Sequence, residues 1–146
     1  MRTSNSWRFA ALASSLLIAG AAYAGNLTVT DGWIRAMPGK TPAGGYFTLS
    51  NDSGRRMVLT GASSPACGML MLHKTDTESG MASMHDVASI PIAVGQHVSF
   101  APGGYHLMCM EPTSQIAPGN KVPVSLIFED GTKVTTDFAV RNATGH

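Results

Sequence analysis

Charged side chains are scarce in this 146-residue chain, at 13% of the residues, and the ten Lys and Arg nearly balance the nine Asp and Glu. No run of basic residues occurs, so the chain lacks the charge pattern that binding to nucleic acid or to an anionic membrane requires. We therefore expect no nucleic acid as a partner. The binding partners have to be inferred from side-chain chemistry rather than from net charge.

Long hydrophobic runs are also lacking, apart from ALASSLLIAGAA at 11–22. This run is shorter than the about 20 residues that a membrane-spanning helix needs. Arg2 and Arg8 precede it, and a small-residue Ala-Tyr-Ala segment ending at Ala24 follows it. Basic, apolar and small-residue regions in this order are typical of a secretory signal peptide. We predict a signal peptide over 1–24, cleaved after Ala24.

The remaining residues, 25–146, have the length of one domain. Without the two arginines of the leader, the formal charge falls by two, from +1 to −1. We predict a single periplasmic domain that is not inserted into the membrane after cleavage, with a flexible tail over 141–146.

Cysteine is rare, with only Cys67 and Cys109. In an oxidising compartment a disulfide is the default interpretation. Strict alternation along a strand would place Cys67 on the same face as His73, which disagrees with a simple bond to Cys109. A bulge or bend at Gly68 would remove the disagreement, and we favour a structural disulfide. The alternative is a redox pair or a thiolate that takes part in metal transfer.

Helical periodicity is lacking as well, and short β-prone runs separated by turn residues dominate. They cover 27–36, 41–51, 55–63, 68–75, 84–90, 97–101, 105–110 and 122–140. The last run contains Asp130-Gly131, a strong hairpin signal. Eight or so short strands predict an all-β fold, an antiparallel sandwich or barrel with Greek-key connections.

What the chain does have is soft donor atoms, concentrated in GGYHLMCM at 103–110. Alternation places Tyr105, Leu107 and Cys109 on one face of a strand and His106, Met108 and Met110 on the other. The segment 69–74 is sorted in the same way. There Met69, Met71 and His73 share a face, and GMASMH at 80–85 adds more methionine.

Thioether sulfur is soft, neutral and not removed by protonation, so it favours Cu(I) over zinc, calcium or magnesium. Methionine is also a common packing residue, and we interpret Met69 and Met71 as strand packing rather than as ligands. Composition and alternation alone leave both a soft-metal site and a buried methionine-rich strand open.

The spacing His73-x10-Met84-x21-His106-x-Met108 resembles that of the PCuAC-type periplasmic copper(I) chaperones. Flanking sequence agrees with the resemblance through nearly all of 25–146. The matching segments are Trp33-Ile34-Arg35, Ala43-Gly44-Gly45-Tyr46-Phe47, Ala101-Pro102-Gly103-Gly104-Tyr105-His106-Leu107-Met108 and Phe128-Glu129-Asp130-Gly131.

The resemblance implies a cupredoxin-like antiparallel β-sandwich that binds Cu(I) through His73, Met84, His106 and Met108. Met81 is a nearby alternative to Met84. The implied partner is a copper-accepting periplasmic or membrane-anchored protein, such as a cytochrome c oxidase subunit or its assembly factor. Many relatives have a His- and Met-rich tail that holds a second copper, often Cu(II). Because this chain ends in RNATGH, we do not expect that second site.

Other classes of function are less well supported by the sequence. A blue-copper electron-transfer site needs a cysteine thiolate with two histidines, and the usual close Cys-then-His-then-Met run is absent. A copper-buffering or resistance protein and a purely structural module remain alternatives. We find no nucleophile elbow, no His-Glu-x-x-His and no phosphate-binding glycine loop, so we expect a binding protein and not an enzyme.

Overall fold

The computed structural model describes residues 26–77 and 80–146, which fold into ten β-strands. The strands are β1 (Leu27–Arg35), β2 (Ala43–Asn51), β3 (Met57–Ser63), β4 (Cys67–Asp76), β5 (Ser83–Asp86), β6 (Ile90–Ile92), β7 (His97–Phe100), β8 (Tyr105–Pro112), β9 (Lys121–Phe128) and β10 (Lys133–Arg141). The run predicted as one strand over 84–90 is divided into two short strands, β5 and β6.

Seven strands form a closed ring in the order β4-β8-β2-β1-β10-β9-β3, and β3 closes it by pairing with β4 at Ala62 and Leu70. β5, β6 and β7 extend the ring by pairing with β4, β3 and β2. The pairings are antiparallel except that of β1 with β10, which is parallel. The prediction of an all-β antiparallel fold is confirmed, with one parallel pair that the sequence did not indicate.

The interior of the ring is filled by alternate side chains of each strand. Phe47 stacks on Phe100 with ring centroids 4.2 Å apart, and Phe138 lies 5.6 Å from Phe47. Burial of such a side chain stabilises the fold by about 1.5–3 kcal/mol. Because the apolar side chains point inward, the outer face of β4, β8 and β2 is free to carry polar and sulfur-containing side chains.

A β-bulge in β1 decides which of its side chains face the core. Leu27 and Ile34 are both buried although they are seven positions apart, an odd spacing that regular alternation would place on opposite faces. The pairing of β1 with β2 shifts by one residue between Thr30 and Trp33, and Asp31 has a positive φ of 56°. The extra residue turns Trp33 and Arg35 toward the outer face.

The Asp130-Gly131 hairpin is confirmed. β9 and β10 are antiparallel, and Gly131 has a φ of +86°, which a residue with a Cβ rarely adopts. The Gly131 N–H donates to the Phe128 carbonyl at 3.0 Å, and Thr132 accepts from the Phe128 N–H at 2.9 Å.

The predicted leader over 1–24 lies outside the described residues and stays a prediction. Within the two described ranges we find no helix with the length and apolar character to cross a membrane. Residues 142–146 follow β10 as a turn in which the Asn142 N–H donates to the His146 carbonyl at 2.9 Å. The flexibility that we expected for this tail stays a prediction.

Cys67 and Cys109 form the predicted disulfide, with Cα atoms 5.4 Å apart. Strict alternation disagreed with this bond, and the irregularity that we expected at Gly68 removes the disagreement. Gly68 and Met69 are both exposed between buried Cys67 and buried Leu70, so alternation is broken at the start of β4. A Cβ at Gly68 would lie 2.5 Å from a carboxylate oxygen of Glu111, so a larger residue would not fit without movement.

The disulfide should contribute strongly to stability because it constrains a chain segment of 42 residues in the unfolded state. We expect the Cys67→Ala/Cys109→Ala variant to lose about 4 kcal/mol of unfolding free energy, measured by urea denaturation. Wild-type protein unfolded in the presence of a reductant should show a similar loss. A loss below about 1 kcal/mol in both samples would contradict the prediction.

Candidate metal centre

The two predicted histidine ligands face each other across neighbouring strands. β4 and β8 are antiparallel, with His73 opposite His106 and Met71 opposite Met108. The two imidazole ring centroids are 5.6 Å apart, with an angle of 74° between the ring planes. Both side chains lie on the outer face, because Leu72 and Leu107, which form the neighbouring pair, are buried in the core.

His106 is the most informative of the predicted ligands. The residue is only 4% exposed, and its Nδ1 lies 3.2 Å from the Gly104 carbonyl. A carbonyl can only accept, so Nδ1 carries the proton and Nε2 keeps its lone pair. Nε2 is buried and has no hydrogen-bond partner among the described residues. A buried nitrogen without a partner is costly in a soluble protein, and a bound metal ion would satisfy it.

The protonation of His106 favours this role. Burial of the ring lowers the pKa of His106, and the nearby His73 ring lowers it further, while the hydrogen bond to Gly104 acts in the opposite direction. The lowered pKa keeps the imidazole neutral down to a lower pH than an ordinary histidine. Only the neutral ring can donate a lone pair to a metal.

His73 is also without a hydrogen bond. Both of its ring nitrogens are buried and unpartnered within the described residues. Oδ1 of Asp86 lies 2.7 Å from its Nε2. This carboxylate is an ion-pair partner for the ring when His73 is protonated. The Asp86 side chain is 71% exposed, whereas that of His73 is 13% exposed.

The predicted methionine ligands come from two further positions around the imidazoles. Met108 follows His106 on the same face of β8 and lies opposite Gly44 of β2. Met84 of β5 lies opposite Thr75 of β4 and is 53% exposed. His106, Met84 and Met108 line one surface depression of about 280 Å³. His73 is not part of its lining and adjoins it through His106.

Met81, the alternative to Met84, lies outside this arrangement. It is 76% exposed, precedes β5 and does not line the depression. Of these two methionines, Met84 is the one that lines the depression together with His106 and Met108.

The rest of the lining of the depression was not predicted as part of a site. It includes Arg35, Met37, Gly44 and Tyr46. The Arg35 guanidinium lies over the rings of Trp33 and Tyr46, 5.4 and 5.5 Å from their centroids. The sequence could have indicated these lining residues. The segments that carry the family resemblance include Trp33-Ile34-Arg35 and Gly44-Gly45-Tyr46.

The types of donor atom limit what this site can bind. No three His, Cys, Asp or Glu side chains within residues 26–77 and 80–146 are grouped in a way that would hold a metal ion. A metal at this position therefore needs methionine sulfur in addition to imidazole nitrogen. Two neutral nitrogens with two neutral thioethers suit Cu(I).

The cysteines are not available to the site. Both are in the disulfide, and they are buried, with Cys109 0% and Cys67 8% exposed. Cys109 points into the core, as alternation predicted. A blue-copper centre would need a free thiolate, so its ligand set is not present.

Comparison with known proteins places this architecture in a family. A family model described as "Putative lipoprotein LpqE-like" matches residues 27–140. A protein of Leifsonia xyli subsp. xyli, named putative lipoprotein Lxx21020, is 32% identical over 123 residues, which cover 84% of this chain and 74% of that protein.

Solved structures share the fold. The copper-bound PCuAC domain from PmoF2 has a TM-score of 0.67 at 25% identity and covers 81% of this chain and 94% of that domain. The solution structure of CuI-DR1885 from Deinococcus radiodurans has a TM-score of 0.59 at 28% identity, covering 80% and 76% of the two chains. These matches confirm the predicted cupredoxin-like fold. The chain belongs to the LpqE-like family and has the fold of the PCuAC domains.

Proposed function

We propose that this protein is a copper chaperone that binds Cu(I) through His73, Met84, His106 and Met108 and transfers it by ligand exchange. It is a binding and transfer protein and not an enzyme. The observation that carries the proposal is the buried Nε2 of His106, which faces a methionine-lined depression without a hydrogen-bond partner among the described residues.

The similar proteins support copper as the cargo. The PmoF2 domain is described as copper-bound and the DR1885 protein as a Cu(I) form. The donor atoms of this chain fit that cargo, because Cu(I) prefers soft, neutral ligands and does not require a carboxylate. Cu(II) is a weaker fit, since thioether sulfur contributes little to a harder ion.

The exposure of the proposed ligands suggests an order of exchange. Met84 is 53% exposed on β5, a four-residue strand at the edge of the sheet, whereas His106 is 4% exposed on a central strand. An incoming ligand from a partner would therefore replace Met84 first. The buried imidazole would hold the metal until the partner has supplied further ligands.

The place of action and the recipient are part of the same proposal. The predicted signal peptide directs the protein to the periplasm, and the lipoprotein descriptions of its relatives agree with a location outside the cytoplasm. The proposed recipient is the copper centre of cytochrome c oxidase or another periplasmic copper carrier. A copper-buffering or resistance protein would use the same site without directed transfer.

The first test concerns the ligand set. We expect Met84→Leu/Met108→Leu to lower Cu(I) affinity by at least about a hundredfold, or about 2.8 kcal/mol, because it removes both sulfur donors. Competition with a Cu(I)-specific chromophoric chelator measures the affinity, and the melting temperature of the apo form checks folding. Met81→Leu, which changes an exposed methionine outside the depression, should bind as wild type. Unchanged affinity in the first variant would rule out these sulfur ligands.

The second test distinguishes transfer from buffering. Cu(I)-loaded protein is mixed under anaerobic, reducing conditions with a purified apo CuA domain, and the copper content of each protein is measured at intervals after their rapid separation. Ligand exchange through a shared complex predicts a rate that rises with acceptor concentration. A buffering protein predicts one rate at all acceptor concentrations, set by spontaneous release of Cu(I), and that result would remove the chaperone role while leaving the site intact.

A third test addresses the electron-transfer alternative. Because both cysteines are in the disulfide, Cu(II) added to the oxidised protein should produce no intense blue thiolate-to-copper absorption. A thiol count on the unreduced, unfolded protein should find none. An intense blue band that is lost in Cys109→Ala would favour a blue-copper centre instead.

A further inference from the structure

Methionine accounts for most of the exposed large hydrophobic side chains of this protein. Within the described ranges, five such side chains are exposed, and all but Val94 are methionines. The four are Met37, Met69, Met81 and Met84. Met84 belongs to the proposed copper site and Met37 lines the same depression, but Met69 lies apart from both.

Three methionines without a role in the proposed site form a continuous row on the outer face of β4 and β8. Met69 lies opposite Met110, and Met71 lies opposite Met108, which in turn adjoins the pair of His73 and His106. We call Met69, Met71 and Met110 the thioether row. Its members share the outer face with the two histidines.

The interpretation as strand packing is wrong for Met69, which is exposed, and stays a prediction for Met71. Leu70 and Leu72, which alternate with them, are 7% and 4% exposed and fill the core. Met69 is 57% exposed and Met71 is partly exposed. Polar or β-branched residues are the usual occupants of such outward strand positions. The sulfur atoms are therefore not accounted for by packing in the core.

We propose that the thioether row is a second Cu(I) site, separate from the His/Met site and made of sulfur donors alone. Side chains directly opposite on an antiparallel pair have Cβ atoms about 4.5–5.5 Å apart, and next-nearest residues on one strand lie about 6.7 Å apart. Methionine has three rotatable side-chain bonds, so three sulfurs at these spacings can converge on one ion. Ag(I), which resembles Cu(I) in softness and charge, would occupy the same site.

The position of the row gives the second site a role that rests on the proposed function. Met108 is a ligand of the His/Met site and lies directly opposite Met71 of the row. Cu(I) can therefore pass between the two sites by exchange of one thioether for another. The ion stays Cu(I), its charge is unchanged and no proton or electron moves. The row lacks imidazole, so it is the weaker site, suited to receive copper before the His/Met site.

The experiment is a titration of the protein with Ag(I), followed by native mass spectrometry and by NMR of ¹³C-labelled methionine methyl groups. Wild type should bind two equivalents. Met69→Leu/Met71→Leu/Met110→Leu should bind one, at the His/Met site. His73→Gln/Met84→Leu should bind one, with shifts of the methyl signals of the thioether row. Met81→Leu, the control for an exposed methionine that belongs to neither site, should bind two.

Each result separates this inference from the proposed function. One equivalent in wild type, lost in His73→Gln/Met84→Leu, would overturn the second site and leave the proposed function standing. Loss of all binding in the thioether-row variant, with none lost in His73→Gln/Met84→Leu, would support the row and contradict the proposed ligand set. Equal shifts of every exposed methionine methyl would show unspecific binding and overturn the row as a site. Apo melting temperatures confirm that each variant is folded.

Discussion

The antiparallel pairing of β4 with β8 is the constraint on which the rest of the molecule depends. Its register places His73 opposite His106, and every outward pair along the two strands follows from that alignment. A slip of one residue would turn the histidines into the core and the leucines to the surface. The buried Leu70, Leu72 and Leu107 prevent that slip, so the apolar core determines the geometry of the face that carries the two histidines.

Rigidity and accessibility are divided between different strands of the site. Both histidines are placed by strands inside the closed ring, and His106 is further fixed by the Gly104 carbonyl. Met84 comes from a short edge strand that pairs with β4 alone. Short edge strands open more readily than central ones. A chaperone benefits from both properties, since it has to hold its metal and also release it.

Much of the fold and part of the site could be predicted from the sequence. Alternation predicted the outward face of His106 and Met108, because β8 is regular there and flanked by buried Leu107 and Cys109. The hairpin at Asp130-Gly131 was predictable because its turn chemistry is local. The disulfide was predictable because Gly68 offered the irregularity that alternation required.

Other features depend on long-range pairing and could not be predicted in the same way. The bulge at Asp31, which turns Trp33 outward, depends on how β1 pairs with β2. The contact of Asp86 with His73 depends on the register of β5. Met69 was assigned to packing because composition does not distinguish a methionine in the core from one on the surface.

The direction of β1 has a consequence for how the protein is presented to its surroundings. Leu27 begins the strand opposite Asn51, and Arg35 ends it beside Gly44, which in turn lies opposite Met108. The strand therefore places its first residue about 26 Å from its last residue, which lies near the proposed donor atoms. The end of the barrel that carries Leu27 and Asn51 is remote from the proposed copper site, so substitutions there do not touch the donor atoms.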